Sequence, residues 1–525
     1  MAARQPLRIA LVLADPDDPP AWVVRLVEDI ADDGALLLCA IVGPDPPRRR
    51  AKPNRLFQTL QRLEVAFAAK RPPVDTYFYQ DRIATLPRML RDAESRLASC
   101  KPDVILDLSG NHGLTVPAAV ARHGVWFTDA TSTIPGAAGL KPLLEESAIS
   151  PINLFRRTAQ QPVPALIAAA AVDGKFIAAR NEWFLAEKSV ALILRELRRC
   201  ERDGKPRSGR EGALFVAPGV PSHTELLRYC ARLAEKLVQR GFEAIAQRLR
   251  MRPGMFHLRV EQEQSLTLFA PQLGKKTRPD DNSYYADPFL VERDGESWCL
   301  FERYDYAARR GSIWAGRLEA DRIVEMRRAI DPGYHLSFPF PIEHGGELFV
   351  MPEACTNKRL EVWRCVNFPD EWELHATALE GTMIADSALA EIDGEWWIFA
   401  NIATDPFGDV SSELHLYRTS GPDLAHVEPH RLNPVVFDSR MARNAGRIHR
   451  VGDKLFRPAQ DNSHGTYGYG LQIMRIDAVG AEEYREHSAR HVVPDFDSGV
   501  IGIHHIDRLG DRVIYDVRER LGGVA

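Results

Sequence analysis

The chain has 525 residues, more than one ordinary hydrophobic core organises, and a guide of about 150 residues per domain gives two or three domains. A formal net charge of -5 supplies no bulk attraction to nucleic acid or to an anionic membrane; short basic runs such as Arg48-Arg49-Arg50 and Arg195 to Arg210 read as solvated faces. Seven scattered cysteines without a Cys-x-x-Cys spacing favour reduced thiols over a disulfide framework, and no apolar run approaches ~18 residues, so a soluble cytoplasmic protein without an integral membrane segment is expected.

Arg8 to Ala14 is an apolar strand, Ala21 to Ala31 has helical periodicity and Ala35 to Val42 is a buried-strand run, the opening of an α/β domain with a parallel sheet. Helices are predicted over Ala51 to Lys70 and Ile83 to Cys100. Pro102 to Leu108 is a further strand, ending in the loop Ser109-Gly110-Asn111-His112-Gly113, which reads either as a ligand-binding position or as a turn with a solvated histidine. Gly124 to Thr128 is a strand followed by the loop Ile134-Pro135-Gly136. Ala165 to Val172 and Lys175 to Ala179 read as strands flanking Asp173-Gly174, and Glu187 to Cys200 as a helix.

This order of elements over residues 7 to 200 resembles the formyltransferase fold, the folate-dependent fold of methionyl-tRNA formyltransferase. The family's chemistry uses an Asn and a His two residues apart on the strand where this chain has Trp126 and Thr128. An indole offers only a donor, and a Thr hydroxyl does not take a proton near neutral pH. A retained fold acting as scaffold or binding domain is therefore expected for residues 1–200.

Residues 201–280 read as a helical and linker connection. Ser222-His223-Thr224-Glu225 is a capping box opening a helix with Leu226, Tyr229, Leu233 and Leu237 on one face, and Met255 to Phe269 alternates as a strand.

From residue 281 to 525 a hairpin pattern recurs. Two-residue turn signals at Asp294-Gly295, Gly345-Gly346, Asp393-Gly394, Gly452-Asp453 and Gly510-Asp511 each separate two apolar runs, at spacings of 51, 48, 59 and 58 residues. That period suits the blades of an all-β five-bladed β-propeller. Counting back from the turns places Asp287, Asp386 and Asn444 at one end of the hairpins; counting forward places Glu302, Glu353, Asn401, Gln460 and Arg518 there. Three carboxylates from three blades, Asp287, Glu353 and Asp386, are thereby expected around one axial pocket. Each alone reads equally as a turn or capping residue.

The segments Tyr285 to Leu290, His335 to Pro339, Met351-Pro352-Glu353, Ile384 to Ser387, Ala442 to Gly446, and Gln460-Asp461 with Thr466-Tyr467-Gly468 resemble the N-terminal domain of plant glucosamine inositolphosphorylceramide transferases. More distantly, the hairpins resemble five-bladed glycoside hydrolases of the arabinanase and β-xylosidase group. That resemblance implies a catalytic base at Asp287 and a carboxylate tuning the acid at Asp386. Where the group has its general-acid glutamate this chain has Asn444, which has no proton to give, and Glu353 is the expected substitute. Arg443, Asn444, Asp461, Tyr467, Tyr285 and His335 are the expected substrate contacts.

The function expected is action on a sugar, glycolipid or sugar nucleotide in surface glycan assembly, by glycosyl transfer or glycoside cleavage, with no cofactor and no metal. A non-catalytic glycan-binding module and an N-formyltransferase acting on an amino sugar are the alternatives.

Overall fold

The computed structural model describes residues 5–43, 55–67, 88–89, 93–112, 116–209, 215–248, 255–262, 265–271, 275–280 and 282–520. They form two compact units, Met1–Val238 with Thr404–Pro406, and Gln239–Ala403 with Phe407–Ala525.

The first unit is an α/β domain around one seven-stranded sheet: β1 (Leu7–Val12), β2 (Leu36–Val42), β3 (Arg88–Met89), β4 (Val104–Asp107), β5 (Val125–Thr128), β6 (Ser150–Arg157) and β7 (Ala165–Val172), in the order β3-β2-β1-β4-β5-β6-β7. The first five are parallel, as the buried apolar runs predict. β6 and β7 are antiparallel, so the sheet is mixed and not purely parallel. The late hairpin is β6–β7, whereas residues 175–177 are coil and Ala178 opens a helix running to Asp203. Asn181 ends the strand option there: its Oδ1 accepts the Lys175 N–H at 2.8 Å and its amide donates to the Gly139 carbonyl at 2.9 Å.

Of the two predicted early helices, Arg55–Phe67 and Ala93–Cys100 are described as helix; residues 51–54, 68–87 and 90–92 lie outside the described residues. Arg88–Met89 is strand, so no single helix runs from Ile83 to Cys100. The capping box forms as expected: the Glu225 N–H donates to Ser222 Oγ at 3.3 Å and the Ser222 N–H to Glu225 Oε2 at 2.7 Å.

The second unit contains five antiparallel blades. Blade 1 covers Ser283 to Ile330, blade 2 Ser337 to Ala378, blade 3 Ile384 to Pro429 and blade 4 His449 to Val492. Blade 5 combines the C-terminal strands Val500–Gly502, Ile506–Leu509 and Arg512–Glu519 with Met255–Gln262 and Lys275–Thr277, which precede blade 1. Met255–Gln262, read from sequence as part of the connection, pairs along its whole length with Arg512–Glu519, so the last sheet contains both ends of the repeat.

All five two-residue turns form, joining Arg293 to Glu296, His344 to Glu347, Ile392 to Glu395, Val451 to Lys454 and Leu509 to Arg512. At Asp294-Gly295, Gly345-Gly346 and Asp393-Gly394 both residues have positive φ, the geometry that matches the right-handed strand twist.

Candidate functional site

The first strand of each blade is interrupted at the same level. Register shifts occur at Asp287-Pro288 in blade 1, Phe338-Pro339 in blade 2 and Asp386-Ser387 in blade 3. In blade 4 only an isolated bridge from Asn444 to Ala459 marks the level, and in blade 5 His504-His505 fills the gap between two short strands. Asp287, Phe338 and Asp386 adopt φ of 51°, 44° and 41°. Non-glycine residues enter that region at a cost of about 1–2 kcal/mol each. Bulges re-aim side chains out of the pleat, and here they turn residues of successive blades toward one another.

Two ion clusters result. In the first, Arg443 Nε donates to Asp386 Oδ2 at 2.6 Å and its Nη2 to Glu353 Oε2 at 3.3 Å, while Gln460 Nε2 also donates to Asp386 Oδ2, at 2.8 Å. Burial opposes ionisation of Asp386, but Arg443 beside it holds its pKa below the ordinary value. Burial, with ionised Asp386 next to it, pushes Glu353 well above the usual carboxylate range. The two adjacent carboxyls are thus shifted in opposite directions, Asp386 down and Glu353 up.

In the second cluster, His504 Nε2 lies 3.2 Å from Asp287 Oδ1 and its Nδ1 lies 2.9 Å from Asp516 Oδ1. Burial disfavours the charged ring, yet the two aspartates hold its pKa up at about 10. Asp287 Oδ2 accepts the Phe338 N–H at 3.2 Å, which ties blade 1 to blade 2. Among the described residues, the one grouping of metal-type donors is Asp287, His504 and Asp516. In this arrangement each ring nitrogen of His504 faces an aspartate oxygen.

Glu302 lies across the hairpin from Ala286 and is buried. Burial, then Asp287 and Glu353, push it well above the carboxylate range, and the Tyr284 hydroxyl donates to its Oε1 at 3.4 Å. Tyr284 stacks on Tyr304 with centroids 4.8 Å apart. Tyr467 covers the other side, 5.1 Å from the Arg443 guanidinium carbon and 5.3 Å from the His504 ring, and is exposed. His335 accepts the Gly311 N–H on Nδ1 at 2.7 Å, and burial holds its pKa low, so it is a neutral ring with the proton on Nε2.

Asp287, Glu353, Asp386, Arg443, Tyr467 and His335 therefore belong to one neighbourhood. Three other predicted contacts do not. Tyr285 is buried against Phe301, Leu258 and Ile514, because the pleat turns it away from the side that Tyr284 faces. Asn444 is a strut: its amide donates to the Asp386 and Phe399 carbonyls at 2.7 and 2.9 Å, and its Oδ1 accepts from Arg457 at 3.1 Å. Asp461 lies 2.9 Å from His491 Nε2, since its neighbour Gln460 takes the inward side of the strand. Glu302 shares the hairpin position that singles out Glu353. Asp516 sits on the second strand of its hairpin with no recurrence to mark it, and His504 lacks a counterpart in the other blades.

The other ends of these strands border a cavity of about 230 Å³ lined by Phe340, Ile342, Leu389, Trp396, Arg447 and Ile448. In the α/β unit, the loop residue His112 is buried on Phe127 and Phe215, with Nε2 3.0 Å from the Thr131 carbonyl; it is not solvated, and Gly113 lies outside the described residues. Trp126 donates to the His123 carbonyl at 3.2 Å and Thr128 Oγ1 accepts the Ala130 N–H at 3.1 Å, so both side chains serve the fold.

A five-bladed propeller whose blades converge on paired buried carboxylates is the class that the second unit defines. Residues 273–500 match the family model described as glucosamine inositolphosphorylceramide transferase 1, N-terminal. Over 209 residues the chain is 33% identical to glucosamine inositolphosphorylceramide transferase 1 of Oryza sativa subsp. japonica, an alignment covering 39% of this chain and 28% of the rice protein. With the Arabidopsis thaliana protein of the same name it is 31% identical, covering 39% and 27%. The chain thus spans less than a third of the length of these curated relatives. Among solved structures it is similar to the catalytic domain of Coprinopsis cinerea GH62 alpha-L-arabinofuranosidase, with TM-score 0.34 and 12% identity over 49% of this chain and 85% of that one. A family 117 glycoside hydrolase produced by Zobellia galactanivorans gives TM-score 0.31 and 11% identity over 51% and 90%.

Proposed function

We propose that the propeller acts on a sugar or sugar-containing molecule in glycan assembly, by glycosyl transfer or glycoside cleavage at the converging ends of its blades. The observation that carries this reading is the pair of neighbouring buried carboxyls joined by one guanidinium, Asp386 at 2.6 Å and Glu353 at 3.3 Å from Arg443, inside the segment matching the transferase family's N-terminal model. Chemistry at a glycosidic bond needs one carboxyl that still holds a proton and another that is ionised. Glu353 is assigned the acid, Asp287 the base or nucleophile, and Asp386 the fixed anion that keeps Glu353 protonated. Arg443 and Tyr467 are assigned to substrate contact, the exposed phenol ring offering a stacking face for a sugar.

One observation favours a second reading, a non-catalytic glycan-binding module: Asp386 already accepts from Arg443 and Gln460 on the same oxygen. Assay of the full chain for transfer and hydrolysis with sugar-nucleotide, glycolipid and aryl-glycoside substrates separates the two. Turnover abolished in Asp287→Asn and Glu353→Gln supports the enzyme. Binding without turnover, weakened by the same substitutions, supports the module.

A further inference from the structure

His504 and Asp516 bring charge into the centre of a protein unit where neither is exposed to water, and the roles assigned above use neither. We propose that Asp516 and His504 form a positioning pair that fixes the orientation of the Asp287 carboxylate from behind. This inference rests on the assignment of Asp287 above.

The geometry is a chain of three groups. Asp516 is the anchor: its Oδ2 accepts the Asp287 N–H at 3.0 Å, and its Oδ1 accepts the His505 and His504 N–H groups at 3.0 and 3.3 Å. One carboxylate thereby holds the bulge of blade 1 and the broken strand of blade 5 in fixed relation. The same Oδ1 lies 2.9 Å from His504 Nδ1 as an ion-pair contact without hydrogen-bond geometry, and Nε2 lies 3.2 Å from Asp287 Oδ1. Phe256 packs on the other side of the ring with centroids 4.6 Å apart and closes it from water.

The arrangement decides which group carries the proton. An imidazolium places positive charge between the two aspartates, 2.9 Å from Asp516 Oδ1 and 3.2 Å from Asp287 Oδ1. Charged or titratable groups facing His504 are Asp287, Asp516, Asp386, Glu302, His505 and Tyr467, the last with Arg443 on its ring. Burial pushes Glu302 upward and His505 downward. The His505 ring lies 4.5 Å from Phe289 and 5.3 Å from Phe338, with Nδ1 3.7 Å from Asp287 Oδ1 and no hydrogen bond from either ring nitrogen among the described residues.

His504 Nε2 lies against Oδ1 of Asp287 and the Phe338 N–H donates to Oδ2, so both oxygens of the carboxylate are held in place.

Histidine-selective 13C and 15N NMR of the full chain, without any sugar, tests this, with His504 assigned by the signal lost in His504→Gln. The expected result is an imidazolium spectrum unchanged from pH 6 to pH 8.5, and a fall in its pKa of at least about one unit, tenfold in proton affinity, in Asp287→Asn. A neutral ring at pH 7, or a titration that Asp287→Asn leaves unmoved, overturns the inference. Asp516→Asn should lower the ring pKa as well; where it does not fold, the wild-type and Asp287→Asn titrations decide alone. A sugar-binding measurement on the same samples keeps the two claims apart. Intact coupling with no carbohydrate binding defeats only the functional reading, and binding with a neutral His504 defeats only this inference.

Discussion

Arg443 grips Asp386 through Nε at 2.6 Å and reaches Glu353 from the same guanidinium at 3.3 Å. One cation from the segment leading into blade 4 thus joins carboxyls on blades 2 and 3, and Arg443 itself is buried. Removing one partner of a buried ion pair costs about 3–5 kcal/mol because the other charge stays uncompensated. Arg443→Met should lose stability of that order in urea unfolding at pH 7, and Asp386→Asn/Arg443→Met should recover part of it.

Glu302 should behave in the opposite sense. A carboxyl whose folded pKa lies above its unfolded value, near 4.5, contributes stability that is complete below that pH and lost as pH rises through the folded value. Glu302→Gln, which removes the penalty and keeps the shape, should therefore be at least as stable as wild type at pH 8. The difference should narrow as pH falls toward 4.5. Thermal unfolding across this pH range checks the sign.

For His504 the window is different. Its folded pKa of about 10 exceeds the ordinary 6.5, so its contribution is present below pH 6.5 and is lost as pH rises through 10. The stability difference between wild type and His504→Gln should shrink between pH 7 and pH 10. Denaturation at three pH values in that interval is sufficient.

Gly311 packs where no side chain fits. A Cβ there would lie 2.3 Å from Glu302 Oε1 and 2.5 Å from the Leu336 carbonyl oxygen, a backbone atom that cannot swing aside. Gly311→Ala should cost about 1–3 kcal/mol, typical of overpacking, and should disturb the environment of His335, which accepts the Gly311 N–H. Unfolding and the His335 ring resonances report the two effects separately.

Much of this was legible in the sequence, for local reasons. Asp-Gly, Gly-Gly and Gly-Asp turns carry their own positive-φ requirement, so five hairpins and their spacing could be read without any tertiary information. The transferase-like segments from Tyr285 to Gly468 lie within the family match over residues 273–500. What escaped depends on contacts between distant residues or on the pleat. Met255–Gln262 finds its partner some 250 residues later at Arg512–Glu519, a pairing no local pattern encodes. Tyr285 turns into the core and Tyr284 toward Glu302 because the register shift at Asp287-Pro288 resets the alternation of the strand, which local sequence does not display. Asn444 stands at the right level, yet its neighbours consume its amide and carbonyl, which only coordinates reveal. Asp516 works through backbone N–H groups, which leave no trace in side-chain identity.

The most direct test of the central claim is carbohydrate binding by the full chain, measured by saturation-transfer NMR and calorimetry against a panel of glycolipid headgroups, amino sugars and sugar nucleotides. The account predicts a ligand whose affinity falls at least about tenfold, or 1.4 kcal/mol, in Asp287→Asn and in Tyr467→Ala while the unfolding temperature of Tyr467→Ala stays at the wild-type value. A panel that binds equally well to wild type and both variants would contradict it, because the sugar would then be held elsewhere than at the converging ends of the blades.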